Sequence, residues 1–239
     1  MNLHIYDTTA ELTEKLAHYI IKIANEAIVA KDRFDFVLTG GNSPKALYQA
    51  LSTTYKDQID WSKVYFFFGD ERTVLPNHKD YNGLMAKENL FDNLQTPASH
   101  IFYVDTTLAP AEAAQAYKKA LDEHFGGQEI VFDLILLGMG DDAHTASIFP
   151  HTDLVKNTAK TVAAVFVEKL DTYRVSFTAP LINQAKNVAF LTFGEGKANA
   201  LSHVLGKGEK NYDLYPSQLI APVNGHLDWF TDKAATSML

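Results

Sequence analysis

Three segments of this chain place glycines and titratable side chains directly after apolar runs. The densest is Phe132–Ser147, where Phe-Asp-Leu-Ile-Leu-Leu passes into Gly138-Met139-Gly140-Asp141-Asp142-Ala143-His144-Thr145-Ala146-Ser147. Imidazole titrates closest to neutrality among the side chains, so His144, two residues after Asp142, is a candidate general base or acid. A capping or surface histidine, with Asp141 or Asp142 as the N-cap of a helix beginning near His144, accounts for the same residues without chemistry. In the second segment Phe34–Leu38 leads into Thr39-Gly40-Gly41-Asn42-Ser43-Pro44-Lys45. Its glycines let backbone approach a ligand, and amides at a helix start together with the Ser43 hydroxyl suit a phosphate or carboxylate. A plain tight turn needs the same glycines. This segment matches neither a dinucleotide GxGxxG nor a P-loop.

The third segment is Gly69-Asp70-Glu71-Arg72, after Val64–Phe68. Arg72 can hold an oxyanion or a phosphate oxygen and Asp70 can orient a hydroxyl or an imidazole, although charged loop residues are often only solvated. Two further cations come later, Arg174 in Tyr-Arg-Val-Ser-Phe and Lys197 in Gly-Glu-Gly-Lys-Ala. Lys197 follows a strand and opens a helix, where a lysine can reach an anion held by backbone amides, although a solvated surface accounts for either cation as well. His100, His124 and His151 stand apart and no HExxH or HxH occurs, so neither a metal nor a cofactor is expected.

The elements that must position these residues follow from periodicity. Leu3–Tyr6 reads as a strand, and Asp7 or Thr8 caps a helix carrying Leu12, Leu16, Ile20, Ile23 and Ala27 at spacings of three and four. Strands are expected at 34–38, 64–68, 101–104, 132–137 and 188–193, with helices at 45–51, 83–91 and 110–124 and another opened by Lys197. Alternation of this kind predicts a largely parallel sheet covered on both faces, whose strand ends carry the chemistry. The closely spaced runs 161–167 and 173–177 predict an antiparallel edge or small excursion. No repeat or linker interrupts the pattern, and one domain over 1–239 is expected.

Composition bounds the function. Of the 239 residues 46% are hydrophobic and 21% charged, as in ordinary globular proteins. A formal charge of −8 with 21 scattered basic residues argues against broad nucleic-acid binding, though not against one small anion. There is no cysteine, which excludes disulfides and thiolate metal sites. Met1–Tyr6 lacks the pattern of a signal peptide, and no apolar run approaches the ~18–20 residues of a membrane span. A cytoplasmic protein without a membrane partner is expected.

Taken together, the segments Leu38–Lys45, Phe68–Arg72 with Asp80-Tyr81-Asn82, Leu137–Pro150, Arg174, Gly194–Ala198 and Tyr215–Trp229 resemble, in order, the 6-phosphogluconolactonases, within the group that includes glucosamine-6-phosphate deaminase. The resemblance implies a single three-layer α/β/α domain with a Rossmann-like (NagB-like) sheet. The implied reaction is hydrolysis of 6-phospho-D-glucono-1,5-lactone to 6-phosphogluconate in the oxidative pentose phosphate pathway, by a monomer or small homo-oligomer with a phosphosugar lactone as its only partner. It implies His144 as the base that activates water, and Arg72 as a group that stabilises the oxyanion or holds substrate oxygens. Asp70 and Asp142 would orient His144, the water or the sugar hydroxyls, and Gly40, Gly41, Asn42, Ser43, Lys45, Arg174 and Lys197 would serve the substrate and its phosphate. The family usually has Asp-Gly-His where this chain has Asp142-Ala143-His144, and alanine is strained there if that position has positive φ. Its first loop commonly reads Gly-Gly-Ser-Thr-Pro, against Asn42-Ser43 here. Two other readings remain. A deaminase carries glutamate five residues after the histidine, where this chain has Phe149, and a non-catalytic sugar-phosphate sensor would bind without turnover.

Overall fold

In the computed structural model, which describes residues 1–94 and 96–239, six parallel strands form one sheet in the order β1 (Asn2–Tyr6), β9 (His226–Asp232), β8 (Asn187–Thr192), β5 (Leu134–Gly138), β2 (Phe34–Leu38) and β3 (Val64–Phe68). Period-two alternation sorts their side chains between two cores. Phe34, Phe36 and Leu38 of β2 and Leu134 and Leu136 of β5 face α1 (Thr9–Lys31), α2 (Lys45–Ser52) and α3 (Asn82–Asn89). Val37, Ile135 and Leu137 face the opposite core, built with α4 (Pro110–His124), α5 (Ala179–Ile182), α6 (Ala198–Leu205) and a second sheet. That sheet is antiparallel, in the order β4 (Asp70–Arg72), β7 (Thr172–Phe177) and β6 (Val162–Val167).

Local signals place the elements. The Thr8 hydroxyl accepts from Glu11 N at 3.1 Å and starts α1, while Asp32, in the left-handed region, ends it by donating its amide to Ile28 O at 2.9 Å. Three expectations are corrected and one unread strand is added. Asp70–Arg72 is no polar loop but a strand, since it pairs with β7. Ile101 makes only an isolated bridge with Phe66, so 101–104 is not a strand. No helix begins at His144, because Ala143, Ala146 and His151 all have positive φ, which breaks the helical repeat. Finally, the unread β9 enters the large sheet between β1 and β8.

The chain passes from β2 to β3 on one side and later returns to β5 on the other, so strand order reverses between β2 and β5. In such sheets ligands bind outside the carboxyl ends of the strands at that point. The amino end is closed by charge instead. Asp35, fully buried, receives Arg33 Nε at 3.0 Å, His124 Nε2 at 2.7 Å and Lys31 Nζ, which also lies 2.8 Å from Asp133. Lys186 reaches Asp133 from the other side at 3.0 Å.

Burial pushes the Asp35 carboxyl up, but His124, Lys31 and Arg33 outweigh it and hold it below the ordinary carboxylate value. Replacing Asp35 with Ala is expected to cost about 2–4 kcal/mol at pH 7, toward the low side for a buried pair because Lys31 keeps Asp133. The folded value lies below the unfolded one, so this stabilisation is present above the ordinary carboxylate range and is lost as pH falls through the depressed folded value. Urea unfolding should therefore separate wild type from variant at neutral pH and bring them together in acid. Equal stability at pH 7 would contradict the assignment.

Candidate active site

The carboxyl ends of β2, β5 and β8 and the small sheet enclose a cleft of about 380 Å³. Gly138 N donates to Thr39 Oγ1 at 3.2 Å, which joins the loops after β5 and β2 at its floor. The β2 loop is fixed by buried Tyr48, whose hydroxyl accepts from Thr39 N at 3.0 Å and donates to Thr39 O at 2.8 Å. A Cβ on Gly40 would lie 2.0 Å from Asn82 Oδ1, so only glycine allows this approach. Gly40, Gly41, Asn42 and Ser43 line the cleft at the start of α2, while Lys45 does not.

Across the cleft the loop after β5 turns sharply. Ala143 adopts φ +61°, as a glycine would, and its carbonyl accepts from Ser217 N at 3.0 Å and Ser217 Oγ at 2.8 Å. That turn brings Asp142 Oδ1 to 2.5 Å from His144 Nδ1. The contact assigns the proton of the neutral ring to Nδ1 and leaves Nε2 as an acceptor. Gly140 makes room, since a Cβ there would lie 2.1 Å from His144 Nδ1 and 2.6 Å from Asp142 Oδ1. Phe149 stacks on the imidazole with ring centroids 3.9 Å apart. Burial pushes the Asp142 carboxyl up, but the hydrogen bond and charge of His144, with Lys169 Nζ 2.9 Å from Oδ2, hold it well below the usual range.

The cations come from the antiparallel sheet. Arg72 and Arg174 are directly paired across β4 and β7, so their side chains share a face. Arg72 Nη1 donates to Asp80 O at 2.9 Å. Arg72 Nε, Arg174 Nε and Arg174 Nη1 are buried without a hydrogen-bond partner among the described residues. Burial, then the neighbouring Arg72, pushes the Arg174 pKa down. Two crowded guanidiniums with free donors favour an incoming anion. Glu71 ties β4 to α3, its carboxylate accepting from the amides of Arg72, Asn82 and Gly83 at 2.7, 2.8 and 3.0 Å, and burial pushes it up to about 8. Asp70 accepts from Ser147 Oγ at 2.6 Å. Lys197 completes the rim from the turn before α6.

His144, Asp142, Asp70, Arg72, Arg174, Lys197 and the 40–43 loop thus meet in one cleft. Sequence reasoning missed Ser147, Lys169, Ser217 and the stacking of Phe149 on His144. Nothing in the local sequence singled out Lys169, and the resemblance of the Tyr215–Trp229 segment gave no role to Ser217; both arrive from distant elements. Among the described residues no three His, Cys, Asp or Glu side chains gather closely enough to hold a metal ion.

The model of the family described as glucosamine-6-phosphate isomerases/6-phosphogluconolactonase matches residues 7–229. The chain belongs to this family. Similar curated members include a 6-phosphogluconolactonase of Nostoc, 38% identical over 98% of this chain and 95% of its own length. One of Synechocystis is 38% identical over 88% and 86%. Among solved structures, a 6-phosphogluconolactonase from Thermotoga maritima superposes with a TM-score of 0.83 at 27% identity over 97% of this chain and 99% of its own. One from Trypanosoma cruzi gives 0.86 at 25% identity over 100% and 96%. A monomeric glucosamine-6-phosphate deaminase gives 0.86 at 18% identity, which shows the shared fold alone.

Substituting Gly140 with Ala is expected to force the imidazole and the Asp142 carboxylate apart, because the new Cβ would overlap both side chains, which pack against each other and cannot both stay in place. Unfolding free energy should fall by about 1–3 kcal/mol. A crystal structure of the variant should show the Nδ1–Oδ1 contact broken, and an intact contact would contradict the packing argument.

Proposed function

We propose that this chain hydrolyses 6-phospho-D-glucono-1,5-lactone to 6-phosphogluconate, with His144 as the general base. One observation supports the base assignment most: Nδ1 is engaged by Asp142, so the opposite ring nitrogen is the acceptor in a cleft rich in anion-binding donors. Kinship with 6-phosphogluconolactonases along nearly the whole chain supplies the reaction.

His144 Nε2 takes a proton from water as the water oxygen bonds to the lactone carbonyl carbon. The carbonyl electron pair moves onto oxygen, and Asp142 stabilises the imidazolium that forms. The oxyanion then re-forms the carbonyl and the bond to the ring oxygen breaks. His144 returns its proton to that oxygen, giving an open-chain acid that ionises. Arg72 stabilises the oxyanion or holds substrate oxygens. The phosphate lies against Arg174, Lys197 and the amides and hydroxyl of the Gly40–Ser43 loop at the start of α2, with Asn42 beside them. Asp70, fixed by Ser147, orients a sugar hydroxyl or the water. Phe149 offers no acid against His144, so the glutamate of the deaminase pattern has no counterpart there.

His144→Ala is expected to lower enzymatic turnover by about 10²–10⁴-fold. Acid release from freshly prepared lactone, corrected for spontaneous opening, reads the loss. Binding of 6-phosphogluconate should survive in the variant. Turnover within tenfold of wild type would contradict the base assignment, and wild-type binding without turnover would make the protein a sensor.

A further inference from the structure

We propose that Lys169 is a positioning residue for the His144–Asp142 pair, acting through the carboxylate they share. Lys169 lies in the hairpin turn between β6 and β7, where Asp171 adopts φ +46° and reverses the chain. The turn carries its ammonium to the rim of the cleft, 2.9 Å from Asp142 Oδ2 and 4.0 Å from Asp141. Both oxygens of Asp142 are therefore engaged: Oδ1 faces the imidazole and also accepts from the His144 amide at 3.3 Å, and Oδ2 has Lys169 as its partner. With Oδ2 anchored, the carboxylate cannot rotate without losing a charge-assisted hydrogen bond, so Oδ1 stays on Nδ1.

Position and charge support the same role. Asp142, Phe149 and Lys169 form the wall between the 380 Å³ cleft and a second hollow of about 740 Å³ behind it. Removing the ammonium opens Oδ2 to water from that side. The Lys169 charge also offsets part of the Asp142 charge, which otherwise favours the imidazolium. Other charges on the same segments are Asp141 on the loop and Glu168 and Asp171 on the hairpin. Across the cleft stand Asp70, Arg72, Arg174 and Lys197. The hydrogen bond and charge of Asp142 raise the Lys169 pKa, which keeps the ammonium charged.

This inference rests on His144 as the base. Lys169→Met keeps most of the stem and removes the charge. Because the Lys169 side chain is largely exposed, kcat should fall only about three- to fivefold, with KM within about twofold. The acid limb of the kcat/KM profile should move to higher pH, since Asp142 then acts unopposed on the imidazole. Lys169→Arg should restore both, and Lys169→Met should add nothing to an Asp142→Asn enzyme. A raised KM with unchanged kcat would overturn the proposal by making Lys169 a substrate ligand. Wild-type kcat and pH profile in Lys169→Met, where His144→Ala is inactive, would overturn it and leave the base intact. Full turnover in His144→Ala would overturn both.

Discussion

Asp142 and His144 stand two residues apart, and their side chains meet because Ala143 between them is left-handed. In an ordinary strand, side chains of i and i+2 point the same way but do not turn into one another. The conformation costs an alanine on the order of 1–2 kcal/mol relative to the right-handed region. Several features offset that cost. Two hydrogen bonds from Ser217 fix the Ala143 carbonyl, the methyl group is completely buried, and Gly140 leaves space for the ring and carboxylate. Burying one methyl group contributes about 0.8 kcal/mol, so the side chain that makes the turn costly also recovers part of the cost. Ala146 and His151 repeat the positive φ further along, which explains why this segment stays irregular where it passes the cleft.

The two ends of the large sheet use charge in opposite ways. At the amino end, Asp35 and Asp133 are each met by cations, and the network closes the fold. At the carboxyl end, Arg72 and Arg174 keep buried donors without a partner among the described residues, an arrangement that favours an incoming anion. The small antiparallel sheet carries this second arrangement. Its strands deliver both arginines, and the hairpin joining two of them delivers Lys169.

Much of the fold is legible along the chain because buried parallel strands are short, apolar and bounded by glycine or charge. The expected and observed limits of β2 and β3 coincide. β4 was hidden because three charged residues read as loop, and only pairing with β7 makes them a strand. β9 mixes His226, Asp228 and Asp232 with its apolar residues, so it lacks the continuous apolar run that marks its neighbours. The helix expected after Asp142 failed because local propensity does not reveal left-handed backbone at alanine. The strand-end loops that line the cleft were readable from their glycines and charges. Lys169, Ser147 and Ser217 were not, since their roles arise from tertiary contact. The alanine in place of the usual glycine was readable as a conflict, and the positive φ at Ala143 is what made it one.

The tautomer of His144 tests the account most directly. Nitrogen-15 NMR of the neutral imidazole in the unliganded protein should show Nδ1 protonated and Nε2 bare, the state in which Asp142 accepts from the ring and the other ring nitrogen can take a proton from water. A neutral ring protonated on Nε2 would leave no base facing the substrate and would contradict it.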